Sequence, residues 1–225
     1  MNGNPKHKGF TLIELSIVIV IIGLIVAGIV GGQAIVTQAK LRSVISDIDK
    51  YKIAINTFQL EYNALPGDLA NAESYFGAAS TNNGNGNRRI DNYTSATNNE
   101  QLLLWQHLSL AKIISGTYSG VGDGSPNNAT PVINVPTAFG GKNCFGFRHN
   151  TVGIGWISPR PPSPSPFLIV GRESSDGVEL DKDCVYSGFT TADAFSIDKK
   201  IDDGLSHVGL IFSFEGKDSG AAANC

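Results

Sequence analysis

From Leu15 to Ala39 the sequence runs for 25 residues without a charged side chain. A run of that length decides the environment first, because a membrane-spanning helix needs only about 20 consecutive apolar residues. Its centre, residues 17–30, reads Ile-Val-Ile-Val-Ile-Ile-Gly-Leu-Ile-Val-Ala-Gly-Ile-Val. Core helices of soluble proteins rarely stay apolar on all faces for so long. The β-branched residues would suit a strand, but a lone strand cannot cross lipid with its backbone groups unpaired. The run is therefore read as a transmembrane helix. Lys6, His7 and Lys8 precede it and no basic residue follows until Lys40, which places the N-terminus on the cytoplasmic side.

This run explains an otherwise odd composition. Charged residues make up 16% of the 225-residue chain, against roughly 25% in soluble domains. The first 32 residues carry only Lys6, Lys8 and Glu14. A net charge of −3 gives no basic excess to displace counterions from phosphates, so nucleic acid is not an expected partner. A secretory signal peptide would also begin with basic residues and an apolar run, but would discard that run at a small-residue site. The small pairs here, Ala27-Gly28 and Gly31-Gly32, follow an apolar stretch longer than a usual signal core.

At the entrance to the span stands Lys8-Gly9-Phe10-Thr11-Leu12-Ile13-Glu14-Leu15. This octapeptide resembles the leader junction of type IV prepilins and type II secretion pseudopilins. The resemblance implies that residues 1–9 are a leader, cut after Gly9 by a prepilin peptidase on the cytoplasmic face. It further implies that Phe10 becomes an N-methylated N-terminus and that the apolar segment is retained. Glu14 matches the acid that the family places four residues after the new terminus, and Gly23 matches a common family glycine. The likeness is strong from residue 8 to about 40 and weak beyond. Gly31 stands where many major pilins have Pro, so a fixed kink is not expected there.

An acid at the hydrocarbon edge costs roughly 2.5–3.5 kcal/mol, which makes Glu14 a functional candidate. A helix N-terminus also favours an acid by its dipole. By the resemblance, Glu14 of one subunit pairs with the Phe10 amine of its neighbour when the helices bundle into a filament. Opposite charges attract strongly in such a bundle, and an unpaired Glu14 stays costly.

Past the span, Leu41, Val44, Ile48, Tyr51, Ile55, Phe58 and Tyr62 recur at alternating spacings of 3 and 4, one apolar stripe on a continuing helix. Pro66 closes it. Residues 10–32 are thus the transmembrane and assembly half of one long helix, 33–62 its amphipathic half, and 63–225 a head. Within the head, Thr81–Asn87 reads as a loop; its alternating Asn83, Asn85 and Asn87 imitate a calcium loop but lack the acid at its twelfth position. Asn99–Ser115 reads as an amphipathic helix, with Trp105 in packing and His107 at the surface. Short β-prone runs at Pro131–Phe139, Cys144–Phe147, Val152–Ile157, Phe167–Val170 and His207–Phe214 suggest an antiparallel sheet. Pro159–Pro166 reads as a polyproline-like connector, and residues 190–204 as a helix with a Thr start and a Gly end. Asp198, Asp202 and Asp203 could contribute to a cation site, but their spacing does not compel one.

The expected fold is therefore α+β and pilin-like: a long N-terminal helix packed on a small antiparallel sheet. Of Cys144, Cys184 and Cys225, the resemblance favours a Cys184–Cys225 bridge closing a C-terminal loop. Cys144–Cys184 would close a loop of nearly equal length, so entropy does not choose. No catalytic motif was found: Gly-x-Ser-x-Gly, His-Glu-x-x-His and Cys-x-x-Cys are all missing from the sequence. The expectation is a structural, non-enzymatic subunit without a cofactor, calcium in the head being possible but unsupported. Its partners would be other pilin-like subunits, prepilin peptidase/methyltransferase and an inner-membrane assembly platform. It would sit in the bacterial inner membrane with its head in the periplasm or on an extracellular filament. The alternative is a single-pass binding protein that never polymerises.

Overall fold

The structure, a computed structural model, describes residues 9–91, 99–122, 129–139, 141, 143–149, 166–172, 184 and 188–205. The chain divides into two compact units, Met1–Arg42 and Ser43–Cys225. The division falls inside the first helix, α1, which spans Leu12–Tyr62. α1 runs through Gly31-Gly32 without a break.

In the first unit every large apolar side chain from Leu12 to Val36 is exposed. Such a helix is stable where lipid is the solvent, because its backbone hydrogen bonds are all internal. Among the described residues it is the one helix long and apolar enough to cross a membrane.

The second unit opens with residues 43–62 of α1, whose Val44, Ile48, Tyr51, Ile55 and Phe58 are buried. The expected stripe is therefore the face that packs on the head. The Tyr51 ring meets Trp105 edge-on at 5.0 Å and Phe145 at 4.9 Å. Phe58 stacks on Tyr62 at 4.3 Å and lies 6.2 Å from the His107 ring. Asn63, at φ 53°, ends the helix in the left-handed conformation common after a last turn. The remaining elements are α2 (Ala72–Phe76), α3 (Glu100–Leu110), β1 (Asn143–His149), β2 (Pro166–Arg172) and α4 (Thr191–Ile201). β1 and β2 pair antiparallel, from Asn143 opposite Arg172 to His149 opposite Pro166. Mixed α+β architecture with a long N-terminal helix and a small antiparallel sheet is thus what the chain adopts.

Three expectations are corrected. α3 is not amphipathic: Glu100 through Leu108 are all buried, with Tyr51 of α1 against Trp105 and loop residues Thr81 and Asn85 bonded to Gln106 and Glu100, and His107 lies in the core. Residues 131–139 are not a strand but make isolated bridges from Pro131 to Val135 and from Thr137 to Cys144. Val132 at φ 71° and a Val132 amide donating to the Val135 carbonyl fold them into a turn, and two prolines deny the run ladder donors. Cys184 is bonded to Cys144, not to Cys225. Its Cα lies 5.6 Å from that of Cys144, the second residue of β1, opposite Gly171 of β2, within the range a bridge requires. Cys225, residues 1–8 of the expected leader, the β-prone runs at 152–157 and 207–214, and most of the proline-rich connector lie outside the described residues.

Candidate functional site

Thr11-Leu12-Ile13-Glu14 has the spacing of a capping box, in which an N-cap hydroxyl and an acid three residues on satisfy each other's backbone amides. The geometry is complete. The Thr11 amide and the Thr11 hydroxyl both donate to Glu14 Oε2 at 2.8 Å. The Glu14 amide donates to Thr11 Oγ1 at 3.3 Å. Two residues on, the Ser16 hydroxyl donates to the Ile13 carbonyl at 2.9 Å. The Thr11 and Ser16 hydroxyls and one Glu14 oxygen, Oε2, are therefore paired inside the helix, which lessens the cost of these groups in a low-dielectric surrounding. Glu14 is the only acid of α1 before Asp47, so its carboxylate is the one fixed negative side chain on the apolar half.

Residues 4–30 match the family described as the prokaryotic N-terminal methylation motif. The chain carries a prepilin-type N-terminus. That match takes in Gly9, Phe10, Glu14 and most of the apolar run. It supports the type IV prepilin and pseudopilin family, whose motif indicates a structural protein, and among the described residues α1 is the one helix long and apolar enough to cross a membrane. No curated protein and no solved structure matches the chain.

The expected junction residues fall just ahead of the helix: Gly9 and Phe10 precede the Thr11 cap, with the Phe10 side chain exposed. Glu14 sits in the first turn. Thr11 was missed in the sequence as a partner of Glu14, although Thr-x-x-Glu ahead of an apolar run is itself a readable signal.

The head contains a second polar cluster, whose members lie far apart in the chain. Glu100, at the start of α3, accepts the Asn85 amide at 2.9 Å and the Asp91 amide at 2.8 Å, one on each oxygen. Asp68 accepts the Asn87 amide at 3.0 Å and the Arg88 amide at 2.7 Å. Two buried carboxylates thus hold the loop by four amides. The asparagine oxygens are also spent on backbone: Asn85 Oδ1 accepts from the Asn87 amide, Asn87 Oδ1 from Arg89, and Asn83 Oδ1 from Glu73. Asn85 and Asn87 thus each make a side-chain turn onto the amide two residues on, while Asn83 ties the loop back to α2. Burial pushes Glu100 up to about 7, with the charges of Asp68 and Asp91 adding to it against the two amide bonds. His107 Nδ1 accepts the Gly67 amide at 2.9 Å, and Nε2 faces the Thr81 hydroxyl at 3.1 Å. The Thr81 hydroxyl donates to Gln106 Oε1, and Gln106 Nε2 donates to the Ser119 carbonyl. These partners assign the proton to Nε2, and burial pushes His107 down to about 4.

Among the described residues, Asp198, Asp202 and Asp203 form the one acidic group close enough to share an ion, each offering an oxygen within 4.8 Å of the others. Such a set could hold a hard cation. Asp198 is buried, and its Oδ1 has no hydrogen-bond partner.

Proposed function

We propose that this chain is a structural subunit of a type IV pilus or a type II secretion pseudopilus. Prepilin peptidase cuts after Gly9, Phe10 is N-methylated, and the subunit waits in the inner membrane with its head outside the cytoplasm. The assembly platform then draws it into a filament, where the apolar halves of α1 exchange lipid for one another. Glu14 of one subunit pairs there with the Phe10 amine of its neighbour and sets the register of addition. The observation that carries this reading is a lone carboxylate on the first turn of α1, just ahead of the charge-free run 15–39 and inside the segment that matches the methylation motif. An acid is retained at that depth only if a partner repays its desolvation. Glu14→Ala is therefore expected to be inserted and cleaved normally but to stay out of filaments. Normal assembly of Glu14→Ala would refute the role.

A further inference from the structure

Glu14 uses one oxygen internally. Both Thr11 donors converge on Oε2, and among the described residues Oε1 makes no hydrogen bond. A carboxylate offers about four acceptor positions, so Oε2 can keep the capping box while Oε1 accepts another donor. We infer that Thr11 is a positioning residue for subunit addition, holding Glu14 by Oε2 so that Oε1 is free for the cationic amine of a neighbouring copy. The inference rests on the assembly reading above and adds to it a residue with a stated task.

Glu is a side chain with several rotatable bonds, and fixing such a side chain at an interface costs binding free energy when it is mobile beforehand. Here the first turn fixes it in advance. The hydroxyl matters separately from the amide, because the amide is present whatever residue stands at position 11. The hydroxyl supplies the second bond to Oε2 and accepts the Glu14 amide in return. Thr11→Val keeps the shape and the backbone donor but removes both hydroxyl bonds. Thr11→Ser keeps them.

The test uses full-length chains in cells that possess the peptidase and the assembly machinery. Thr11→Val, Thr11→Ser, Glu14→Ala and the Thr11→Val/Glu14→Ala pair are compared for cleavage, membrane level and the fraction recovered in sheared filaments. We expect every variant to be cleaved and inserted. Thr11→Val should lower the filament fraction by roughly two- to tenfold, the size of one lost rotamer restriction. Thr11→Ser should restore it, and the double variant should match Glu14→Ala alone. Wild-type assembly of Thr11→Val, with Glu14→Ala still excluded, would overturn the positioning role and leave the assembly reading standing. Failure of Thr11→Ser to restore assembly, or failure of Thr11→Val to be cleaved, would also overturn it. Assembly of Glu14→Ala would bring down both.

Discussion

Moving the pH between 4 and 8 should expose two buried groups of the head that act with opposite sign. His107 is pushed down from 6.5 to about 4. A histidine kept neutral by the fold contributes stability that is fully present above its unfolded value and is lost as pH falls from 6.5 toward 4. Glu100 is pushed up from 4.5 to about 7. Its contribution is fully present below 4.5 and is lost as pH rises through 7. Between 4.5 and 6.5 the two slopes oppose each other, so wild type conceals both. Replacing His107 with Gln removes one slope and reveals the other. A displacement of about 2.5 pH units, at 1.36 kcal/mol each, amounts to about 3 kcal/mol. The unfolding free energy of wild type minus that of His107→Gln should thus rise by about that much from pH 4 to pH 6.5, then level off. Urea denaturation of the full chain in detergent, followed by the fluorescence of the buried Trp105, measures the difference at each pH. Glu100→Gln should give a difference of the opposite slope, falling as pH rises from 4.5 to 7. A wild-type-minus-His107→Gln difference that does not change with pH would show that His107 titrates alike in folded and unfolded chains. The burial argument would then be wrong.

Two further substitutions test the packing. Gly67→Ala should lower the melting temperature by roughly 6–12 °C, because φ is 92° and the new Cβ would fall on the Glu100 carbonyl and the Leu104 amide, backbone atoms that cannot turn aside; a shift of a degree or less would contradict this packing. Cys144→Ser opens a bridge that closes 40 residues and should cost about 2–5 kcal/mol. A non-reducing peptide map should link Cys144 to Cys184, and a Cys184–Cys225 peptide would refute the pairing.

The parts of this molecule that were legible in the sequence are those set by local chemistry. The membrane helix is written in missing charge, and the stem in the alternating spacing from Val44 to Phe58, every member of which is buried. α4 could be placed because Thr190 caps it, accepting the Asp193 amide at 3.2 Å. What was not legible depends on neighbours distant in the chain. His107 looks like a surface histidine until Gly67, forty positions earlier, donates to it. Glu100 and Gln101 look like the polar face of a helix until the loop at 81–91 folds over them. The bridge eluded reading because two loops of nearly equal length cost the same entropy, and only the placement of β1 beside Cys184 decides between them. Thr11 is a different case: Thr-x-x-Glu ahead of an apolar run is a local signal, written in full in the sequence.

Entry into a filament requires processing at Gly9, and the mass and N-terminal sequence of the mature protein test that processing most directly. Recovered from the membranes of cells that contain a prepilin peptidase, the chain should begin with N-methylated Phe10, followed by Thr11 and Leu12. A chain that keeps Met1 in such cells, or one that starts beyond residue 30, would contradict it.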